Sequence, residues 1–230
     1  MRSVGFDLGD TLIYYGGVTG GSFKEHFRSA LVQICSALDI AAEAEFLQQG
    51  ERILSGYNTR EHPRDHEVTD TAIFASVLEA WRVDAVKVPV AVKAFFTYFQ
   101  QTSRAYADTA ASLRALKQRG FKVGILTDVP YGMNREFIMR DVAPIREYVD
   151  VLVTSVEAGV RKPRPEGYLM LAEKLQSEPQ QMMYIGNEAK DIAGAVRAGM
   201  TAVLLDRDSA RGDWNQRYTI SNLLELEDLL

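Results

Sequence analysis

The chain has 230 residues, 47% of them hydrophobic, with a formal charge of -5, and this suits one large domain or a core carrying a smaller insert. There is no block of Lys or Arg and the pI is near 5.3, so the sequence offers no electrostatic grip on a polyanionic backbone, and nucleic acid is excluded as an expected partner. No apolar run approaches the roughly 20 residues that cross a bilayer, and Met1-Arg2-Ser3 leads straight into a strand pattern, so no membrane partner and a cytoplasmic location are expected.

The first predicted element is a short β-type run from Ser3 to Phe6, closed by Asp7. Beyond it, Tyr14 to Gly21 reads "YYGGVTGG". That glycine content suits a hinge, and no Gly-Lys-Ser/Thr follows to make a phosphate loop of it. Ser22-Phe23-Lys24-Glu25 matches a capping box, and Phe27, Leu31, Ile34 and Leu38 follow at helical spacing. The single cysteine, Cys35, lies inside that apolar pattern and reads as a buried structural thiol. Three further helices are predicted near 42–56, 69–82 and 89–102. Phe74, Val77, Leu78 and Trp81 give one its apolar face; Phe95, Phe96 and Phe99 give another, read as the insertion's own core. The stretch "TREHPRDHE" is a polar loop: His62 and His66 have the spacing of a zinc-binding helix, but Pro63 between them opposes one. Arg60 and Arg64 of this loop are candidates to face a site and select an anionic substrate. No strand is predicted between the first run and Asp108. Residues 16–105 therefore read as an all-helical inserted domain and 1–15 with 106–230 as the core, the second connection falling near Ser103 to Ala107.

In the core, Asp108 is placed to cap a helix carrying Leu113 and Leu116, with Gly120 to end it. β-type runs then recur at Val123 to Leu126, Val151 to Val153, Met182 to Ile185 and Ala202 to Leu205, and Lys190 to Ala198 is a helix with Gly199 after it. Strands alternating with helices predict the α/β class, a parallel sheet with helices on both faces. Arg211-Gly212-Asp213 reads as a surface turn.

Ligands of an open α/β sheet bind beyond the carboxyl ends of its strands. The residues there are Asp7, Gly9, Asp10 and Thr11, then Thr127 and Asp128, then Lys162, and finally Asn187, Glu188 and Asp191. They combine a carboxylate nucleophile, a hydroxyl, a point-charge cation and oxygen ligands for a hard metal. A carboxylate attacking phosphorus needs its charge repulsion neutralised, which Mg²⁺ and a lysine do, while main-chain amides and Thr127 hold phosphoryl oxygens.

Four segments in order, "FDLGDTL", "VGILTD", "GVRKPRPEGY" and "MYIGNEAKDIAGAVRAGM", resemble the four motifs of the haloacid dehalogenase (HAD) superfamily across nearly the whole chain. The resemblance implies a Rossmann-like core with a helical C1-type cap inserted after the first strand, and Mg²⁺-dependent phosphoryl transfer through an aspartyl-phosphate. Asp7 would be nucleophile and metal ligand, with the Gly9 carbonyl, Asn187 and Asp191 completing the metal set. Thr127, Asp128 and Lys162 would hold the phosphoryl group of a small phosphorylated substrate, with Arg64 above it.

The departures from the family pattern are equally specific. Family phosphatases carry an acid two residues after the nucleophile, where this chain has Gly9 and places Asp10 next. Motif two ends Thr127-Asp128 instead of Ser/Thr-Asn, and motif four opens Gly186-Asn187 instead of Gly-Asp. Three readings of Gly9 stand: Asp10 replaces the acid, the substrate needs none, or the fold persists with little catalysis. The expected function is a phosphatase of a small metabolite; the alternatives are a catalytically weak binding protein and non-phosphate chemistry such as dehalogenation. A cap lysine forming an imine is a further family route, but nothing singles out Lys24, Lys87 or Lys93.

Overall fold

The computed structural model describes residues 3–16, 23–100, 103–210 and 212–230. The chain opens with β1 (Ser3–Phe6) and β2 (Ile13–Tyr15). Four helices follow, α1 (Phe27–Leu38), α2 (Ala44–Gly56), α3 (Asp70–Ala80) and α4 (Val88–Gln100), before β3 (Ser103–Ala105) returns antiparallel to β2. Strands and helices then alternate through α5 (Thr109–Gln118), β4 (Lys122–Thr127), α6 (Arg135–Asp141) and β5 (Val151–Thr154). After α7 (Ser155–Ala158) and α8 (Glu166–Leu175) come β6 (Met182–Gly186), α9 (Ala189–Arg197), β7 (Thr201–Leu205) and β8 (Tyr218–Ile220).

Six strands form one parallel sheet in the order β5-β4-β1-β6-β7-β8. The fold is the Rossmann-like α/β architecture expected from the alternation. Side chains alternate across the pleat: Phe6, Ile125, Ile185 and Val203 enter one apolar cluster, while Leu126, Tyr184 and Leu204 enter another with α8 and α9. Because β1 lies between β4 and β6, Phe6 is in register with both Ile125 and Ile185. The residues that leave these three strands, Asp7, Thr127 and Asn187, therefore emerge side by side.

The four insertion helices lie close to their predicted spans. The β2–β3 pair went unpredicted because three-residue strands carry too little periodicity to stand out. At α5 the structure corrects the sequence reading: Asp108 occupies the N-cap position without a side-chain cap, and its carboxylate instead takes Arg207 and the Leu223 amide. The Phe95–Phe96–Phe99 stripe also reaches further than the insertion. Phe95 meets Phe74 at 4.9 Å but also Tyr131 at 5.7 Å, and Phe96 meets Phe137 at 5.1 Å. One cluster therefore runs from the insertion onto the sheet. Ser22 of the predicted capping box, most of the glycine cluster and Arg211 lie outside the described residues. Cys35 is buried and unpaired, as a structural thiol should be. No helix among the described residues is long and apolar enough to cross a membrane.

Candidate active site

Asp7 is held where β1 ends, its amide donating to the Ile185 carbonyl at 2.8 Å, so the backbone ladder fixes the carboxylate before any side chain acts on it. Lys162 comes from the segment after α7, its own amide donating to Asp128 Oδ1 at 3.0 Å. The ammonium then meets three acceptors: Asp7 Oδ1 at 2.5 Å, Asp191 Oδ1 at 2.7 Å and the Tyr184 hydroxyl at 3.1 Å. Three donors on a lysine are thereby all used. Tyr184 in turn donates to the Leu126 carbonyl at 2.8 Å, tying Lys162 to β4.

Asp191 opens α9 from complete burial and accepts the Asn187 and Glu188 amides on Oδ2 at 3.1 and 2.9 Å. Gly186 permits this, since a Cβ there would fall 2.3 Å from the Asp191 Cβ. Thr11 lies between the two motif ends, its hydroxyl 3.4 Å from both Asp7 Oδ2 and Asn187 Oδ1.

Burial pushes the Asp7 carboxyl up to about 7; Lys162 opposes that rise and Asp191 adds to it. Burial would lower Lys162, but Asp191 and Asp7 together hold it well above the ordinary lysine value. Two buried carboxylates thus share one ammonium, which leaves one negative charge in excess when both are ionised.

That excess, and an oxygen-only donor set, fit a hard divalent cation. Asp7 Oδ2 and Asn187 Oδ1 converge on Thr11, and the Gly9 backbone borders the same space. Asp191, expected in the metal set directly or through water, turns Oδ1 to Lys162 and Oδ2 to the Asn187 and Glu188 amides. Among the described residues no group of three or more His, Cys, Asp or Glu is arranged to hold a metal.

A cavity of about 740 Å³ opens on Asp7. Gly9, Asp10, Thr127, Asp128, Lys162, Asn187, Glu188 and Arg64 line it as well, while Thr11 and Asp191 lie behind its lining. The Asp128 carboxylate is not turned freely to the cavity: it pairs with Lys190 at 3.2 Å and with Arg161 at 3.8 Å. Burial would raise Asp128, but Lys190 and Arg161 outweigh it and keep the carboxyl below its usual range. Asp10 takes a left-handed conformation, φ 56°, and its charge acts on the Tyr15 and Tyr106 hydroxyls. The 57–67 loop is fastened to the core through buried Glu67, which binds Arg161 and the Ser155 hydroxyl. This anchoring holds Arg64 at the cavity, where its Nε has no hydrogen-bond partner. His62, His66 and the lysines 24, 87 and 93 do not line it.

Sequence reasoning assigned no part to Tyr184, Tyr131 or Glu67. Tyr184 reads as one more apolar strand residue, and only its hydroxyl hints at a polar partner.

A family model described as haloacid dehalogenase-like hydrolase matches residues 1–199. The chain belongs to this family. It is 28% identical over 212 residues to a glyceraldehyde 3-phosphate phosphatase of Methanopyrus kandleri, covering 90% of this chain and 84% of that one. It is 30% identical over 129 residues to (S)-2-haloacid dehalogenase 1 of a Pseudomonas species, spanning 55% of this chain and about half (56%) of that relative. Among solved structures, a HAD phosphatase from Thermococcus onnurineus superposes with a TM-score of 0.68 at 23% identity, over 100% of this chain and 97% of the other. The chain is thus a HAD-type hydrolase, and its fold is that of the family.

Proposed function

We propose that this hydrolase is a cytoplasmic phosphatase of a small phosphorylated metabolite, with Asp7 as nucleophile. The observation that carries the reading is Lys162 bridging Asp7 and Asp191 in a buried site that opens on the cavity. Asp7 attacks phosphorus through its carboxylate and forms an aspartyl-phosphate that water then hydrolyses. Thr127 holds a phosphoryl oxygen, and Lys162, fixed from behind by Asp191, balances charge across Asp7 and the phosphoryl group. Asp7, the Gly9 carbonyl and Asn187 would hold Mg²⁺, which would supply charge neutralisation at the phosphoryl oxygens. Arg64, which lines the cavity, is placed to select an anionic group of the substrate. In this reading residues 16–105 act as a cap over a core of 1–15 and 106–230.

The test is phosphate release from p-nitrophenyl phosphate and acetyl phosphate, with Mg²⁺ or EDTA, for wild type beside Asp7→Asn. Release should require the metal, and the substitution should lower it by about 10³-fold or more, as loss of a nucleophile does. Release that survives Asp7→Asn would end this reading.

A further inference from the structure

We propose that the substrate's leaving group departs as a stabilised anion, a phenol in preference to an alcohol, and that it lies against an aromatic wall of the cavity. The inference rests on the phosphatase reading and names its substrate class.

The first ground is the proton inventory. No histidine lines the cavity among the described residues. Each Lys162 donor is committed. Asp128 is ion-paired with Lys190 and Arg161, and Glu188 with Lys190 and Arg60. Burial pushes the Tyr131 hydroxyl up, and Glu61 pushes it further, which makes it a poor acid. Asp10 takes a left-handed backbone conformation, φ 56°, one residue beyond the Gly9 position. At Gly9 a Cβ would meet no heavy atom within 4 Å, so space for an acid exists and the chain leaves it unfilled. An alcohol, with a pKa close to water's ~16, leaves poorly without a proton. A phenol, near 10, leaves as phenolate.

The second ground is the opposite wall. Phe23, Tyr131, Ile13, Ile138 and Pro130 line the same cavity as Asp7. Phe23 stands edge-on to Tyr131, centroids 5.9 Å apart. Tyr131 itself is held left-handed, φ 49°, a conformation unfavourable for a bulky residue and imposed by its surroundings. An aromatic ring gains stacking and burial on such a wall; a compact polyol gains neither.

In the step itself, a carboxylate oxygen of Asp7 forms a bond to phosphorus while the bond from phosphorus to the phenolic oxygen breaks. The phenolate carries off the electron pair and takes its proton from solvent. Water then attacks the aspartyl-phosphate, releases phosphate and restores Asp7, its proton passing to a phosphoryl oxygen.

The experiment compares kcat/KM of the Mg²⁺-loaded wild type for 4-nitrophenyl, phenyl, benzyl, glycerol 3- and glyceraldehyde 3-phosphate. Phenyl phosphate should exceed benzyl phosphate, its near match in size, by about 10²-fold or more, the scale of a missing acid, with 4-nitrophenyl above both and the polyol esters lowest. Gly9→Asp should raise benzyl relative to phenyl phosphate by about tenfold or more. Tyr131→Leu, or Phe23→Leu if that variant misfolds, should raise KM for phenyl phosphate more than it lowers kcat. Equal rates for phenyl and benzyl or glyceraldehyde 3-phosphate would overturn the inference while leaving the phosphatase reading intact. A selective loss on benzyl phosphate in Asp10→Asn would overturn it too, by making Asp10 the acid. No release from any of the five would remove the phosphatase reading and this inference with it.

Discussion

Lys162 is where the residue scale decides most. A single ammonium sits between two carboxylates, and removing it leaves Asp7 and Asp191 buried together with no cation among their contacts. Breaking a buried pair of this kind costs about 3–5 kcal/mol. Lys162→Met should therefore lower the urea-derived stability at pH 7 by that amount in addition to abolishing turnover, whereas a purely catalytic lysine would leave stability intact. The position of Lys162 was legible from "GVRKPRPEGY", because a lysine followed by proline after a strand pattern is a specific local signal. The engagement of Asp191 was not legible. Its two oxygens are taken by groups that arrive from the segment after α7 and from its own helix start, and no spacing in the sequence encodes that choice.

At the scale of elements, the junction between insertion and core is built on Asp141 of α6. Its carboxylate accepts the Tyr15 hydroxyl from β2 and the Gln100 amide at the end of α4. Both connections of the insertion are therefore tied to one buried acid. Burial raises the Asp141 pKa, with the Tyr15 and Gln100 hydrogen bonds opposing the rise. The folded chain thus holds this proton more tightly than the unfolded chain, whose aspartates titrate near 3.9. The stabilisation from this group is complete below the unfolded value and is lost as pH rises through the higher folded one. The difference in unfolding free energy between wild type and Asp141→Asn should accordingly shift against wild type from pH 4 towards neutrality, measured by urea denaturation at each pH. A flat difference would show that Asp141 titrates alike in both states. Nearby, Gly132 takes φ 63° and a Cβ there would meet the Val68 carbonyl at 2.1 Å, so the loop after β4 docks on the insertion at a point only glycine allows. The insertion helices themselves were readable from apolar spacing. Their docking was not, since Phe95 and Phe96 offer the same pattern whether they pack inwards or across.

For the molecule as a whole, the shared apolar cluster predicts cooperative unfolding of insertion and core. The two tryptophans allow a test: Trp81 is buried in the insertion, its indole donating to the Phe46 carbonyl at 2.7 Å, and Trp214 packs against the cluster on the other sheet face. In Trp214→Phe, Trp81 fluorescence and far-UV circular dichroism should give coincident urea midpoints. Separate midpoints would show that the insertion unfolds by itself. Surface ion pairs such as Arg60–Glu188, half-exposed at 3.2 Å, contribute at most about 1 kcal/mol and do not set this cooperativity.

The sequence by itself determined the alternating α/β class, the helical insertion and the order of Asp7, Thr127, Lys162 and Asn187, because periodicity and strand-end chemistry are local, written within about ten residues. Tertiary structure alone decided which oxygens stay open. Asp7 and Lys162 meet across 155 positions, and whether Asp191 faces a metal or supports a lysine depends on where Lys162 arrives. The same holds for the aromatic wall: Phe23 and Tyr131 lie 108 residues apart in the numbering and share a cavity only because the insertion docks on the β4 end of the sheet. Contacts between distant segments follow from packing and burial of the whole chain, and no short pattern records them.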